Sequence, residues 1–273
     1  KGDVHIGLSN EDYAASPLYK IKGAQLHIFD GPHPAGNVGI QIANVSPIKK
    51  GEIVWTVDAV NLAAIGKLFK KGVVDMSRLV AVAGPRVEKP CYVKALPGVA
   101  IKEFLPFIME GDAEIYGQKV ANRIISGDVL SGTKVSQEGF LGYYDTLVSV
   151  ISEGNYCETF GWAKLFRPKK FSLSRSYFSW LTPSKRYNAD ANLNGGVRAF
   201  VVTGLYEKVL PMDIYPVFLL KAILAENIEE MERLGIFEVV EEDLALCEYV
   251  CPSKIDVQEI VAKGIDIMIK DME

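Results

Sequence analysis

Two cysteines toward the end of this 273-residue chain carry its most recognisable chemical spelling. Cys247-Glu248-Tyr249-Val250-Cys251-Pro252 reads as the closing C-x3-C-P of a four-cysteine run that ligates an iron–sulfur cluster. The opening half is absent, because positions 241 and 244, where the earlier thiolates would stand, hold Glu241 and Leu244. Two thiolates cannot fill a four-thiolate site. The segment therefore reads as a degenerate cluster motif in which Cys247 and Cys251 act as small apolar residues of a helix-turn. The other chemistry-bearing residues are sparse. The three histidines, His5, His27 and His33, fall within the first 33 residues without the i, i+4 spacing of a helical metal pair. No metal site is expected, and no nucleophile elbow, Walker loop or paired-carboxylate motif is present, so no catalytic residue is assigned.

His5 and His27 read simply as strand residues. His33 differs, because it lies in Asp30-Gly31-Pro32-His33-Pro34-Ala35-Gly36-Asn37. Prolines stiffen that backbone and glycines allow close approach. Such a loop suits a ligand, a partner backbone or a tight structural crossover, and Gly31, His33, Pro34 and Gly36 are its candidate contact residues.

A second unusual stretch runs from 159 to 189. It contains no acid, yet holds Lys164, Arg167, Lys169, Lys170, Arg175, Lys185 and Arg186 among many aromatics. The chain as a whole has a net charge of −4, so this is a local reversal of sign. Arg and aromatic residues are enriched in interface cores, and the same mixture suits an anionic membrane surface. The partner-docking candidates are Trp162, Phe166, Arg167, Lys169, Lys170, Arg175, Trp180 and Arg186. Nucleic acid is disfavoured by the acidity of the remainder, and a solvated basic face is the plain alternative.

The elements that must position these residues follow from periodicity and punctuation. Val4 to Leu8, Ile28-Phe29, Val54 to Val57 and Arg78 to Ala83 read as strands, and Asn61 to Lys71 as a helix closed by Gly72. Tyr92 to Leu96, Arg123 to Ser126 and Thr146 to Ile151 read as further strands, with Ile101 to Met109 a short helix. Pro211 to Leu234 reads as one helix, its acids gathered late against the dipole preference. A short helix at the cysteines and a closing helix from Asp256 to Lys270 complete the chain. The expectation is α/β plus α+β in three parts: a truncated α/β domain over 1–85, a β-grasp-like domain over 86–155, and over 156–273 the basic aromatic segment with a helical domain. Too few strands precede residue 85 to close a doubly wound sheet, and a chain opening on Lys1 is expected to be a piece of a longer polypeptide.

With 49% hydrophobic and 23% charged residues the composition is that of a soluble globular protein. Four scattered cysteines fit a reducing compartment rather than a disulfide framework. The longest apolar run, Ile214 to Ala225, is too short to span a bilayer and contains Lys221.

Taken in order, Gly31-Pro32-His33-Pro34-Ala35-Gly36, Arg78 to Pro85, Ile125 to Thr133, Phe160-Gly161-Trp162, Leu205 to Pro211 and Leu244 to Lys254 resemble the A-subunit family of the sodium-translocating NADH:quinone reductase. The resemblance covers essentially the whole chain. It implies a Rossmann-like α/β domain related to the flavin domain of complex I, an SLBB-type β-grasp domain, and a C-terminal helical region with a ferredoxin-like remnant. It further implies a peripheral component on the cytoplasmic side of the bacterial inner membrane. There it would join the other subunits, especially a membrane-embedded one, in reducing ubiquinone or menaquinone, with NADH, FAD, FMN and iron–sulfur centres expected elsewhere in the complex. Val38 stands where flavin-bearing relatives keep an acid, and an apolar side chain accepts no hydrogen bond. With the missing cysteines, this implies no redox cofactor of its own, and little activity alone. The competing expectation is a self-contained flavin or iron–sulfur electron carrier, similar to the cluster-bearing C component of the Rnf complex.

Overall fold

The computed structural model describes residues 2–11, 14–154, 156, 158, 160–164, 167, 170–173, 175, 177–181, 186–199 and 204–272, Trp162 by its backbone alone. In chain order its longer elements are β1 (His5–Ser9), β2 (Gln25–Phe29), α1 (Val38–Val45), α2 (Ala59–Lys71), β3 (Arg78–Ala83) and β4 (Cys91–Ala95). Next come β5 (Ala113–Ile115), β6 (Gln118–Val120), β7 (Asn122–Ser126), β8 (Thr133–Val135) and β9 (Leu147–Ser152). The last are α3 (Pro216–Leu224), α4 (Ile228–Arg233), α5 (Ala245–Val250) and α6 (Val257–Met272). They fall into two compact units, residues 57–195 and residues 1–56 together with 196–273. The boundaries expected at 85 and 155 are therefore not where the units part.

In the unit of residues 57–195 a mixed sheet runs in the order β4-β3-β9-β7-β8, with β3 and β9 parallel and the remaining pairs antiparallel. β3, which strand-helix alternation placed with the first domain, is hydrogen-bonded between β4 and β9. Val80, Val82, Val148 and Val150 are fully buried and pack with Ile101 and Phe104 of a 3-10 turn, Ile101–Phe107, where a short helix was expected. β-Branched residues on one face of central strands are what a half-covered sheet selects. The small β5–β6 hairpin went unread because its strands are three residues long; its turn residues Tyr116 and Gly117 both take positive φ, +52° and +74°.

α2 is built as its sequence dictates. Asp58 caps it by accepting from Asn61 N–H at 2.7 Å, Gly72 closes it in the left-handed conformation, and Lys70 and Lys71 lie at its negative end. The expected strand at Val54 to Val57 does not form. Alternating β-branched residues make a strand only where a ladder partner exists, and Trp55 is 92% exposed there.

In the other unit β1 and β2 pair in parallel, and α3 to α6 surround one apolar core that includes Leu219, Leu220, Met231, Leu244 and Val261. The single helix expected over 211–234 is two. Pro216 occupies the first turn of α3, Glu226 takes φ +53°, and Asn227 caps α4 by accepting from Glu230 N–H. This break reverses the dipole argument, since Glu229 and Glu230 now sit in the first turn of α4, where negative charge is favoured. Glu232 pairs with Lys50 and Glu230 with Arg233.

Candidate functional site

The loop after β2 closes on itself before α1 begins. Ala35 N–H donates to Pro32 O, Asn37 N–H donates to Pro34 O at 2.8 Å, and Gln41 Nε2 donates to Ala35 O. Gly31 takes φ +126°, Pro34 is buried, and His33, Gly31 and Gly36 stand exposed or nearly so around it. On the two parallel strands, His5 Nδ1 and His27 Nε2 are 3.0 Å apart and share a hydrogen bond.

What meets the start of α1 is the chain's own carboxylate. Asp243, 1% exposed, accepts from Asn37 Nδ2 at 3.3 Å, and Asn37 Nδ2 also reaches Glu242 O. A methyl added at Gly39 would stand 1.9 Å from Asp243 Oδ2. Burial raises the Asp243 carboxyl above the usual carboxylate range, and among the described residues its Oδ2 has no hydrogen-bond partner. This contact was not legible, because Glu241-Glu242-Asp243 reads as an ordinary acidic surface run. Val38, at the first position of α1, is 51% exposed. If Gly39 and Asp243 interlock, Gly39→Ala and Asp243→Ala each lower stability, and the double variant is less destabilised than the sum by about 1 kcal/mol or more. Denaturant unfolding of all four proteins checks this, and strict additivity would remove the interlock.

The cysteines of the degenerate motif lie in the helical core. Cys247 is fully buried and Cys251 2% exposed; burial pushes the Cys247 thiol up to about 12, and its Sγ lies 3.9 Å from Tyr206 O. Among the described residues no three His, Cys, Asp or Glu side chains converge as a metal site would require.

The basic aromatic segment is only partly described: Phe166, Lys169 and the Trp162 side chain lie outside the described residues. Arg167 turns inward, 10% exposed. It pairs with Glu158, donates to the Tyr116 hydroxyl, and lies 5.2 Å from the Tyr177 ring centroid. Lys164 shares Glu158 at 3.0 Å. Lys170 Nζ reaches the Tyr156 hydroxyl at 3.2 Å and Asn194 Oδ1 at 3.0 Å, while Tyr156 donates to Asp190 Oδ2 at 2.5 Å. Burial raises the Tyr156 phenol, so it remains a donor. Arg175 and Arg186 are exposed and Trp180 is 48% exposed.

A groove of about 740 Å³ runs along α2 beside β3 and β4. Ala63, Ala64, Leu79 and Leu147 contribute apolar wall, and Asn61, Lys67, Ser77 and Tyr92 supply donors. Lys67 pairs with Asp75, whose carboxyl is held well below the usual range by that lysine and by Ser77. An apolar slot with a few convergent donors is the common form of a small-molecule site. Sequence reasoning passed over it, although the Asp75-Met76-Ser77 turn marks its rim.

Parallel β1 and β2, a mixed five-stranded sheet and a helical end place the chain in the mixed α/β class. The model of the NqrA second alpha/beta domain matches residues 1–74, and that of the NQRA C-terminal domain, of SLBB type, matches residues 79–137. The A subunit of the Na(+)-translocating NADH-quinone reductase of Rhodopirellula baltica is 36% identical over 267 residues, 97% of this chain and 56% of the relative. Its counterpart from Shewanella frigidimarina is 41% identical over 234 residues, covering 85% and 51%, and that from Vibrio anguillarum 38% over 272 residues, covering 99% and 58%. The chain belongs to this family of reductase A subunits, and it spans about half the length of the curated relatives it matches.

Proposed function

We propose that the chain serves as part of the peripheral A subunit of a sodium-translocating NADH:quinone reductase, on the cytoplasmic side of the membrane. There it shapes the assembly and contacts quinone without a redox cofactor of its own. The observation that carries this reading is the collinear match to named A subunits over nearly the whole chain. The placement of both motif cysteines in an apolar core supports the absence of a cluster, and no helix among the described residues is long and apolar enough to cross a membrane. The α/β portion is read as Rossmann-like, akin to the complex I flavin domain, with parallel β1 and β2 as support.

Quinone recognition needs a flat apolar slot and a donor for each carbonyl. The groove beside α2 offers both, and exposed His33 on the Gly31–Gly36 loop of the other unit is a separate candidate contact. The basic aromatic segment, with Trp162, Phe166, Lys169 and Lys170 among its residues, is read as facing membrane partners.

The test is photocrosslinking of a quinone analogue to the assembled reductase containing this chain. Labelled peptides from residues 59–92 or 31–37 are the expected result, and labels confined to the other polypeptides would remove the quinone role. By itself the chain is expected to show no NADH-driven quinone reduction, and stoichiometric flavin or iron with sulfide in anaerobically purified protein would overturn the cofactor-free reading.

A further inference from the structure

Among the described residues between 159 and 189, only part of the positive charge meets an internal partner. Lys164 and Arg167 meet Glu158, and Lys170 meets Tyr156 and Asn194. Arg175 and Arg186 stand exposed, in a stretch that has no acid of its own. Around them large apolar side chains face water: Phe178 is 45%, Trp180 48% and Phe171 48% exposed.

Two contacts draw Phe171, Trp180 and Arg186 into one neighbourhood, and Arg175 N–H turns back to Ser172 O beside Phe171. The Tyr187 hydroxyl donates to Ser179 O at 3.1 Å, fixing the stretch of chain that bears Arg186 beside the 3-10 turn Ser179–Leu181 that bears Trp180. The Tyr187 ring meets Phe171 edge-on at 5.9 Å, which brings the first limb of the segment to the same place. Ser179 itself is buried, so Phe178 and Trp180 project from an anchored turn.

A patch that mixes exposed aromatics with Arg suits a partner that is less polar than water and negatively charged. Aromatic bodies with a polar edge partition into the headgroup layer of a bilayer, and cations beside them meet lipid phosphates in the negative surface potential. A fluid anionic surface demands no matched shape, which suits residues borne on irregular turns rather than on a groove or sheet edge. RNA would meet repulsion from the otherwise acidic chain.

We propose that Phe171, Arg175, Phe178, Trp180 and Arg186 dock this chain directly on an anionic lipid surface, with Phe171, Phe178 and Trp180 entering the headgroup layer and Arg175 and Arg186 meeting phosphate. This inference stands independently of the reductase reading. It is tested by flotation of the full chain with protein-free vesicles, either of phosphatidylcholine alone or of phosphatidylcholine with phosphatidylglycerol. The expected result is recovery with the anionic vesicles, release by high salt, and little recovery with the neutral ones. Each cation at such a surface contributes about fivefold in partitioning, so the double variant R175E/R186E is expected to lose about 25-fold or more. The double variant F178S/W180S loses binding as well, with circular dichroism unchanged.

Equal recovery on neutral and anionic vesicles, or an unaltered R175E/R186E variant, would overturn the proposal. So would tighter salt-sensitive binding to an RNA homopolymer than to the vesicles. Recruitment only to vesicles that carry the reductase's membrane proteins would overturn it too, while leaving the reductase reading intact. Binding to protein-free anionic vesicles by a chain that fails to join the reductase would do the reverse.

Discussion

Substituting alanine for Gly84 is expected to destabilise the sheet unit by more than about 4 kcal/mol, a large fraction of the total stability of a small domain. Gly84 ends β3 with φ +127°, and an added Cβ would stand 2.2 Å from Val150 O and 2.8 Å from Val150 N. Both obstacles are backbone, so no side chain can yield. Arg86, two residues on, depends on the same closeness, since its N–H donates to Val150 O. Relief would require β3 to move away from β9, breaking the parallel register of Val82 with Val148 and opening the layer formed by Val80, Val82, Val148 and Val150. Circular dichroism and loss of amide protection in β7 and β9 read the result. An alanine variant within about 1 kcal/mol of the parent would show that Gly84 does not pack against the Val150 backbone as described.

The second large effect is acid sensitivity of the same unit through Glu153. This carboxylate follows β9, receives Arg123 of β7 at 2.6 Å and Lys134 of β8 at 2.6 Å, and is 17% exposed. The Arg123 hydrogen bond, working against burial, holds its pKa at about 2 rather than 4.5. A carboxyl with a depressed native pKa binds protons more tightly when unfolded. Its contribution is therefore complete above pH 4.5 and is lost as the pH falls from there toward 2. On the order of 2–3 kcal/mol disappears across that window. Glu153→Gln is expected to be less stable than the parent at neutral pH, with the two curves converging in acid. Hydrogen exchange or denaturant melts at stepped pH check this, and parallel curves would dismiss Glu153 as the acid-sensitive tie.

How much of this could be read from the residues alone differs between the two units. In the mixed sheet β3, β4, β7 and β9 were legible from their β-branched residues, whereas the three-residue β8 was not, and α2 announced itself through Asp58 and Gly72. The pairing of β3 with β4 and β9 was not legible. A local pattern names a strand without naming its neighbour, and β3 was assigned to the preceding domain for that reason. Val54 to Val57 shows the converse, a strand-like spelling with no partner. In Pro211 to Leu234 a continuous apolar stripe hid the reversal at Glu226, and with it the favourable placement of Glu229 and Glu230.

The site was legible in its types and less so in its partners. Cys247 and Cys251 were read as apolar residues, and their burial agrees. The sign reversal after Glu158 was visible, but Glu158 itself was counted as the edge of the basic stretch when it binds Lys164 and Arg167. Asp243 at the start of α1 and the groove beside α2 depend on contacts between residues far apart in the chain, which composition and spacing do not encode.

The cysteines leave the molecule with a built-in clock. Cys247 and Cys251 are sealed in the helical core, while Cys91 on β4 of the other unit is half-buried. A thiol reacts with alkylating reagents only as thiolate and only when reached. Modification of the sealed pair therefore times the opening of the helices, and Cys91 reports in the same tube on the sheet unit.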